Sequence, residues 1–210
     1  MYKLYGFARS NYYNKVKLAL LEKALAFEEI VAMPGSPDYL ARCPTGKIPY
    51  FETEEGGFCE SQAIVEYLEE CHPEPALLPA SLQERAKVRE LLLVLETGID
   101  LSARRLLPHL LLGHPLADAV KEEARSQLKR GVAAFARLAK FSPYVAGADF
   151  TLADCAAAFH LPLASRISRR IYDEDLLAEL PLAAYRETLA ARPTYQRAMA
   201  DFDASRPLWR

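Results

Sequence analysis

Residues 1–31 read MYKLYGFARSNYYNKVKLALLEKALAFEEIV, and the hydrophobic period changes twice within them. Tyr2, Leu4 and Gly6 alternate with Lys3, Tyr5 and Phe7, which is the two-residue repeat of a strand. From Asn14 the apolar residues Val16, Ala19, Leu20 and Ala24 recur at helical spacing, and residues 27–31 return to strand. This predicts a β-α-β unit. A loop punctuated by Pro34, Gly35, Pro37 and Pro44 follows, and then residues 48–53, a turn at 54–57 and residues 58–60 read as a hairpin. Ser61 opens a helix with Ile64, Val65 and Leu68 on one face. Pro73, Pro75 and Pro79 then crowd the chain as a stiff linker, which places a domain boundary near residue 78. Beyond it, residues 81–112, 117–140, a stretch from Thr151, and shorter segments at 176–180, 183–191 and 194–202 all carry helical periodicity. The expectation is an α/β first domain over 1–78 and an all-helical second domain over 79–210.

Composition narrows the function classes. Of 210 residues 51% are apolar and 26% charged, the balance of a globular chain and not of a disordered one. Lys and Arg number 26 against 28 Asp and Glu, so no basic excess favours nucleic acid as a partner. The longest run without Asp, Glu, Lys or Arg is residues 106–117, well short of the roughly 20 apolar residues of a membrane span. Charges scattered through 1–27 leave no apolar core for a signal peptide, so a cytoplasmic location is expected. Cys43, Cys59, Cys71 and Cys155 form neither a Cys-x-x-Cys pair nor a zinc spacing, and reduced thiols are expected.

Three short segments carry candidate chemistry. Arg9-Ser10-Asn11-Tyr12-Tyr13 joins the first strand to the first helix, where unpaired backbone N–H groups favour an anion; Ser10 either caps that helix or meets such an anion. In Gly46-Lys47-Ile48-Pro49 a proline opens a strand, and a cis bond there would leave the Ile48 backbone free to pair with an extended peptide. Lys47 either meets a carboxylate or stays solvated. Glu60-Ser61 starts a helix, where Ser61 caps it or helps to hold a carboxylate while Glu60 pairs with an ammonium.

The order Ser10, Lys47-Ile48-Pro49, Glu60-Ser61, linker and helical second half resembles the cytosolic glutathione transferases of serine type (theta-like, zeta-like or bacterial) over nearly the whole chain. Tyr144-Val145-Ala146-Gly147 and Phe150-Thr151-Leu152-Ala153-Asp154 look like the family's buried capping element. There Thr151 and Asp154 make a capping-box variant, with Phe150 placed to staple the first turn. The resemblance implies a thioredoxin-like first domain, an all-helical second domain, glutathione as co-substrate, no metal and a homodimer. It also implies that Ser10 donates to the glutathione sulfur, that Pro49 is cis with Ile48 pairing to the cysteinyl backbone, that Lys47 holds the glycine carboxylate, and that Glu60 and Ser61 hold the γ-glutamyl end. Asn11, Tyr12 and Tyr13 stand where many relatives have proline, and each is a further candidate to reach the sulfur. Cys43 replaces a frequent Asn and reads as a small buried thiol or a mixed-disulfide site. No cysteine occupies position 10, as a glutaredoxin-like role would need.

Bringing a thiol from a pKa of ~8.5 down by two units requires ~2.7 kcal/mol. Hydrogen bonds to a charged group supply ~1.5–3 kcal/mol, and a helix N-terminus a further ~0.3–1 kcal/mol. An electrophile pocket is expected between residues 7–13 and the long helix of the second domain, with Tyr12, Leu101, Arg104, Arg105, Leu107, His109 and Leu112 as candidates and Pro108 kinking the helix. An Arg pair there favours an anionic substrate, unless it is a solvated charged face. His72, His109, His114 and His160 lack a metal pattern and read as structural or surface residues. The reactions implied are conjugation of glutathione to a small hydrophobic electrophile, glutathione-dependent isomerisation or peroxide reduction. The competing class is a non-catalytic binding module like the stringent starvation proteins.

Overall fold

The computed structural model describes residues 1–205. Its contacts group Met1–Leu78 with the chain from Ala191 into one compact unit, and the residues from Pro79 to Ala190 into a second.

In the first unit the expected strand-helix order is present: β1 (Tyr2–Gly6), α1 (Asn11–Glu22), β2 (Phe27–Val31), α2 (Pro37–Arg42), β3 (Tyr50–Thr53), β4 (Gly56–Cys59) and α3 (Ser61–Cys71). The sheet runs β2-β1-β3-β4, with β1 parallel to β2 and antiparallel to β3, and β3 antiparallel to β4. Leu4 lies opposite Phe51 in the β1–β3 register, and both are fully buried. Val16, Leu20, Ile64, Val65 and Leu68, the apolar positions read as helix faces, are buried as well, and α1 packs on α3. The short α2 went unread because its prolines look like loop punctuation. Ser36 caps it, accepting from the Tyr39 N–H at 3.3 Å, and Pro37 occupies a first-turn position that needs no N–H donor.

The proline-rich stretch after α3 is tied down. Buried Glu69 accepts from the N–H groups of Leu77 and Leu78 and pairs with buried Lys23 at 2.6 Å, while Lys23 also donates to the carbonyls of His72 and Pro75. Two charges removed from water in this way are tolerated because each is paired and hydrogen-bonded.

The second unit holds α4 (Leu82–Leu93), a π-helical segment (Val94–Asp100), α5 (Leu101–Arg104), α6 (Leu107–Leu112), α7 (Asp118–Leu138), α8 (Leu152–Tyr172) and α9 (Leu182–Ala190). The single long helix expected over 81–112 is thus corrected. Its middle is π-helical, it breaks after Arg104, and Pro108 sits in the first turn of a new helix instead of kinking an old one. Residues 176–180 form turns, not a helix. α7 and the π segment meet at glycines: a Cβ on Gly131 would lie 2.4 Å from the Gly98 carbonyl oxygen. The capping element is as expected. The Thr151 N–H and hydroxyl both reach the Asp154 carboxylate, at 2.9 and 3.1 Å, and its other oxygen accepts from the Val145 N–H and the Tyr185 hydroxyl, each at 2.9 Å. Burial pushes the Asp154 carboxyl up despite these donors.

The expectation that everything after residue 78 belongs to the second domain is corrected at the C-terminal end. α10 (Pro193–Ala204) packs on α1. Asp201 pairs with buried Lys17 at 2.5 Å, Arg192 and Thr194 reach Glu22, and the Arg9 guanidinium stacks over Phe202 at 4.3 Å. These charged partners on α1 and the β1–α1 turn hold the last helix to the first unit.

Candidate functional site

The turn between β1 and α1 is closed by hydrogen bonds. Ser10 donates its N–H to the Phe7 carbonyl at 3.0 Å, and the Asn14 amide donates to the Ala8 carbonyl at 2.6 Å. Ser10 is the N-cap of α1, its Oγ accepting from the Tyr13 N–H at 3.3 Å. The capping reading therefore holds. Capping uses the oxygen only as an acceptor, and among the described residues the hydroxyl hydrogen has no acceptor. The half-buried Ser10 thus presents an O–H donor at a helix N-terminus whose amides favour negative charge.

Its neighbours separate cleanly. Tyr13 is buried and donates its hydroxyl to Glu29 at 2.6 Å, so it is removed from the residues able to approach a sulfur beside Ser10. Burial, reinforced by Glu29, drives its phenol far above the usual range. Asn11 is buried in the first turn and Tyr12 half-buried.

The Ile48–Pro49 bond is cis, as the resemblance implied. The segment before it is pinned from α2, where the Tyr39 hydroxyl and the Cys43 thiol both donate to the Lys47 carbonyl, at 2.6 and 3.2 Å. Ile48 reaches back to the β1–α1 corner: a Cβ on Gly6 would lie 2.5 Å from Ile48 Cγ2 and 2.6 Å from Tyr13 Cδ2. That close approach is why glycine stands at position 6, and it sets Ile48 beside the start of α1. The Lys47 side chain is exposed, and its ammonium makes no hydrogen bond or ion pair among the described residues.

Glu60 sits at φ +74°, a conformation costly for a residue with a Cβ, and forms no side-chain cap on α3. Ser61 is buried as the first helical residue, so α3 starts with Glu60 exposed and its first-turn amides not capped by that side chain. The α1 start follows β1, Lys47 precedes β3 and the α3 start follows β4, so all three stand in loops of one small sheet.

The second-unit candidates are placed otherwise than the sequence suggested. Because the helix breaks between Arg104 and Leu107, Leu101, Arg104, Arg105 and His109 do not share one continuous face. Arg105 is exposed and pairs with Glu123 of α7 at 2.9 Å, a solvated ion pair and not an anion site. His109 is exposed with Nδ1 2.7 Å from the His114 carbonyl oxygen, Leu101 and Leu112 are exposed, and Leu107 is buried.

Arg104 turns inward to Asp100 at 2.5 Å, in a cluster the sequence reading missed. Fully buried His160 on α8 lies 2.9 Å from Asp100 and 3.8 Å from Glu96, both on the π segment. Burial raises the Asp100 carboxyl, but His160 and Arg104 outweigh it and hold it well below the usual carboxylate range. The i,i+4 spacing of Asp100 and Arg104 was visible; the partner sixty residues away was not. Among the described residues no group of three or more His, Cys, Asp or Glu side chains is arranged to hold a metal ion.

The chain matches the N-terminal domain of the glutathione S-transferases over residues 4–76 and their C-terminal domain over residues 118–188. It is 44% identical to a glutathione S-transferase of Pseudomonas putida over 99% of this chain and 95% of that protein. To a maleylpyruvate isomerase of a Ralstonia species it is 31% identical, over 73% of this chain and 77% of the relative. Among solved structures, a Methylobacterium radiotolerans glutathione S-transferase in complex with glutathione sulfonate superposes with a TM-score of 0.78 at 27% identity, covering 94% of this chain and 93% of that one. With the mixed four-stranded sheet, the cis proline before β3 and the helical second unit already in place, these matches identify the chain as a member of the glutathione S-transferase family.

Proposed function

We propose that this chain is a glutathione transferase that binds glutathione along the Ser10, Ile48 and Ser61 edge of its first unit and holds its sulfur as thiolate for attack on a small hydrophobic electrophile. The observation that carries the reading is the Ser10 hydroxyl, committed as an acceptor to the Tyr13 N–H but, among the described residues, not as a donor. Ser10 gives that hydrogen to the sulfur, and the α1 N-terminus adds favourable potential. Ile48 pairs its backbone with the cysteinyl residue, Lys47 meets the glycine carboxylate, and Ser61 with the α3 amides holds the γ-glutamyl carboxylate while Glu60 faces the ammonium. The thiol proton leaves to solvent; no general base is required. Tyr12, half-buried two residues after Ser10, contributes to the electrophile's side of the sulfur. The functional protein is a homodimer in this reading, which light scattering at micromolar concentration tests; a monomer would contradict it.

The kinetic test is conjugation of glutathione to chloro-dinitrobenzene. Ser10→Ala should lower kcat by roughly 10- to 100-fold, the loss of one hydrogen bond to a charged group, with little change in KM for glutathione. Unchanged kcat would refute the role given to Ser10. Retention on a glutathione column without turnover would favour a binding module. A second reading, glutathione-dependent isomerisation, is favoured by the similarity to the Ralstonia maleylpyruvate isomerase. There the same thiolate adds to an activated double bond and is expelled again, so glutathione is regenerated and not consumed.

A further inference from the structure

Cys43 and Cys59 belong to one small cluster beside the loops that carry Lys47 and Glu60. Cys43 ends α2 with its sulfur fully buried, 3.2 Å from Thr45 Oγ1 and 3.2 Å from the Lys47 carbonyl oxygen. Cys59 ends β4 opposite Tyr50 and packs, half-buried, on the cluster of Tyr5, Tyr39, Cys43 and Tyr50. Both thiols thus belong to one small cluster, in which the Thr45 hydroxyl lies within hydrogen-bond reach of Cys43.

From this juxtaposition we infer that Cys43 and Cys59 form a redox-active dithiol that exchanges with small disulfides, Cys59 being the entry sulfur and Cys43 the closing one. Cys59 is the partly accessible partner and so meets the incoming disulfide. Burial raises the Cys59 thiol, so its attack on the incoming disulfide quickens as pH rises and the thiolate fraction grows. With glutathione disulfide the Cys59 sulfur attacks one glutathione sulfur, the glutathione S–S bond breaks, and one glutathione departs with the Cys59 proton. The Cys43 sulfur then attacks Cys59, the mixed disulfide breaks, and the second glutathione departs with the Cys43 proton. The protein pair loses two electrons and two protons; glutathione disulfide gains both. The new bond ties the segment that carries Lys47 to the strand end that carries Glu60. The exchange does not depend on Ser10.

The test uses full-length Cys71→Ser protein, since the exposed Cys71 thiol would react by itself. After incubation with glutathione disulfide and acid quenching, the intact mass should fall by two hydrogens. Two thiols should also be lost to maleimide labelling. A non-reducing tryptic digest should join peptide 43–47 to peptide 48–85, which trypsin separates at Arg42, Lys47 and Arg85. Adding Cys43→Ser should trap one glutathione on Cys59. Retention of all three remaining thiols, absence of the linked peptides, or stable glutathione on Cys59 while Cys43 is present would overturn the inference. The digest decides it even where the Cys43→Ser protein fails to fold.

Discussion

The backbone settings of Ser10, Pro49 and Ser61, a helix start, a strand start and a helix start, were readable because each is fixed by its own sequence neighbours. What a side chain meets across the fold was not readable. Tyr13 stood beside Ser10 as a further candidate to reach a sulfur until β2 supplied Glu29, and of the two readings of Arg105, anion site or solvated charged face, Glu123 of α7 decides for the second. His160 was read as structural or surface, and its buried pair with Asp100 makes it structural, though the partner was not visible. The folded Asp100 carboxyl lies below its unfolded value of ~3.9, so it contributes stability above that pH and loses it as acid protonates the folded form. Asp100→Asn should therefore flatten the acid side of a stability-pH profile measured by urea unfolding, relative to the native chain. An identical slope below about pH 4 would contradict the pairing.

At the scale of elements, periodicity located nearly every helix but not its breaks. Residues 81–112 keep an apolar rhythm, whereas the extra residue per turn of the π segment and the stop after Arg104 arise where α7 and α8 pack against them. The Gly98–Gly131 crossing sets that packing distance. Gly131→Ala would force a methyl into the Gly98 carbonyl, and overpacking of this kind costs ~1–3 kcal/mol. The urea midpoint should fall accordingly; an unchanged midpoint would show that the two helices separate freely. α2 was missed for the opposite reason, since prolines that break helices in their interior are favoured in the first turn.

Across the whole molecule, the division at residue 78 followed from three prolines, but the return of α10 to the first unit is a long-range packing decision that no local pattern announces. Buried Lys17 shows why it matters, because Asp201 is one of its two carboxylate partners. Ending the chain after Ala190 removes that partner and the Arg192 and Thr194 contacts to Glu22. Hydrogen exchange along α1 should then accelerate by about tenfold or more, the loss of a charged pair of ~1.4 kcal/mol or greater. Exchange equal to that of the intact chain would mean α10 contributes nothing to the first unit. The sheet, the two helix starts and the cis proline serve one purpose in this account, which is to lower the thiol pKa of docked glutathione. Ultraviolet titration of enzyme-bound glutathione, following thiolate absorbance against pH, measures that directly. A pKa of about 6.5 is expected in the native protein, with a return toward ~8.5 in Ser10→Ala. A bound thiol that titrates like free glutathione in the native protein, or equally low in both proteins, would contradict it.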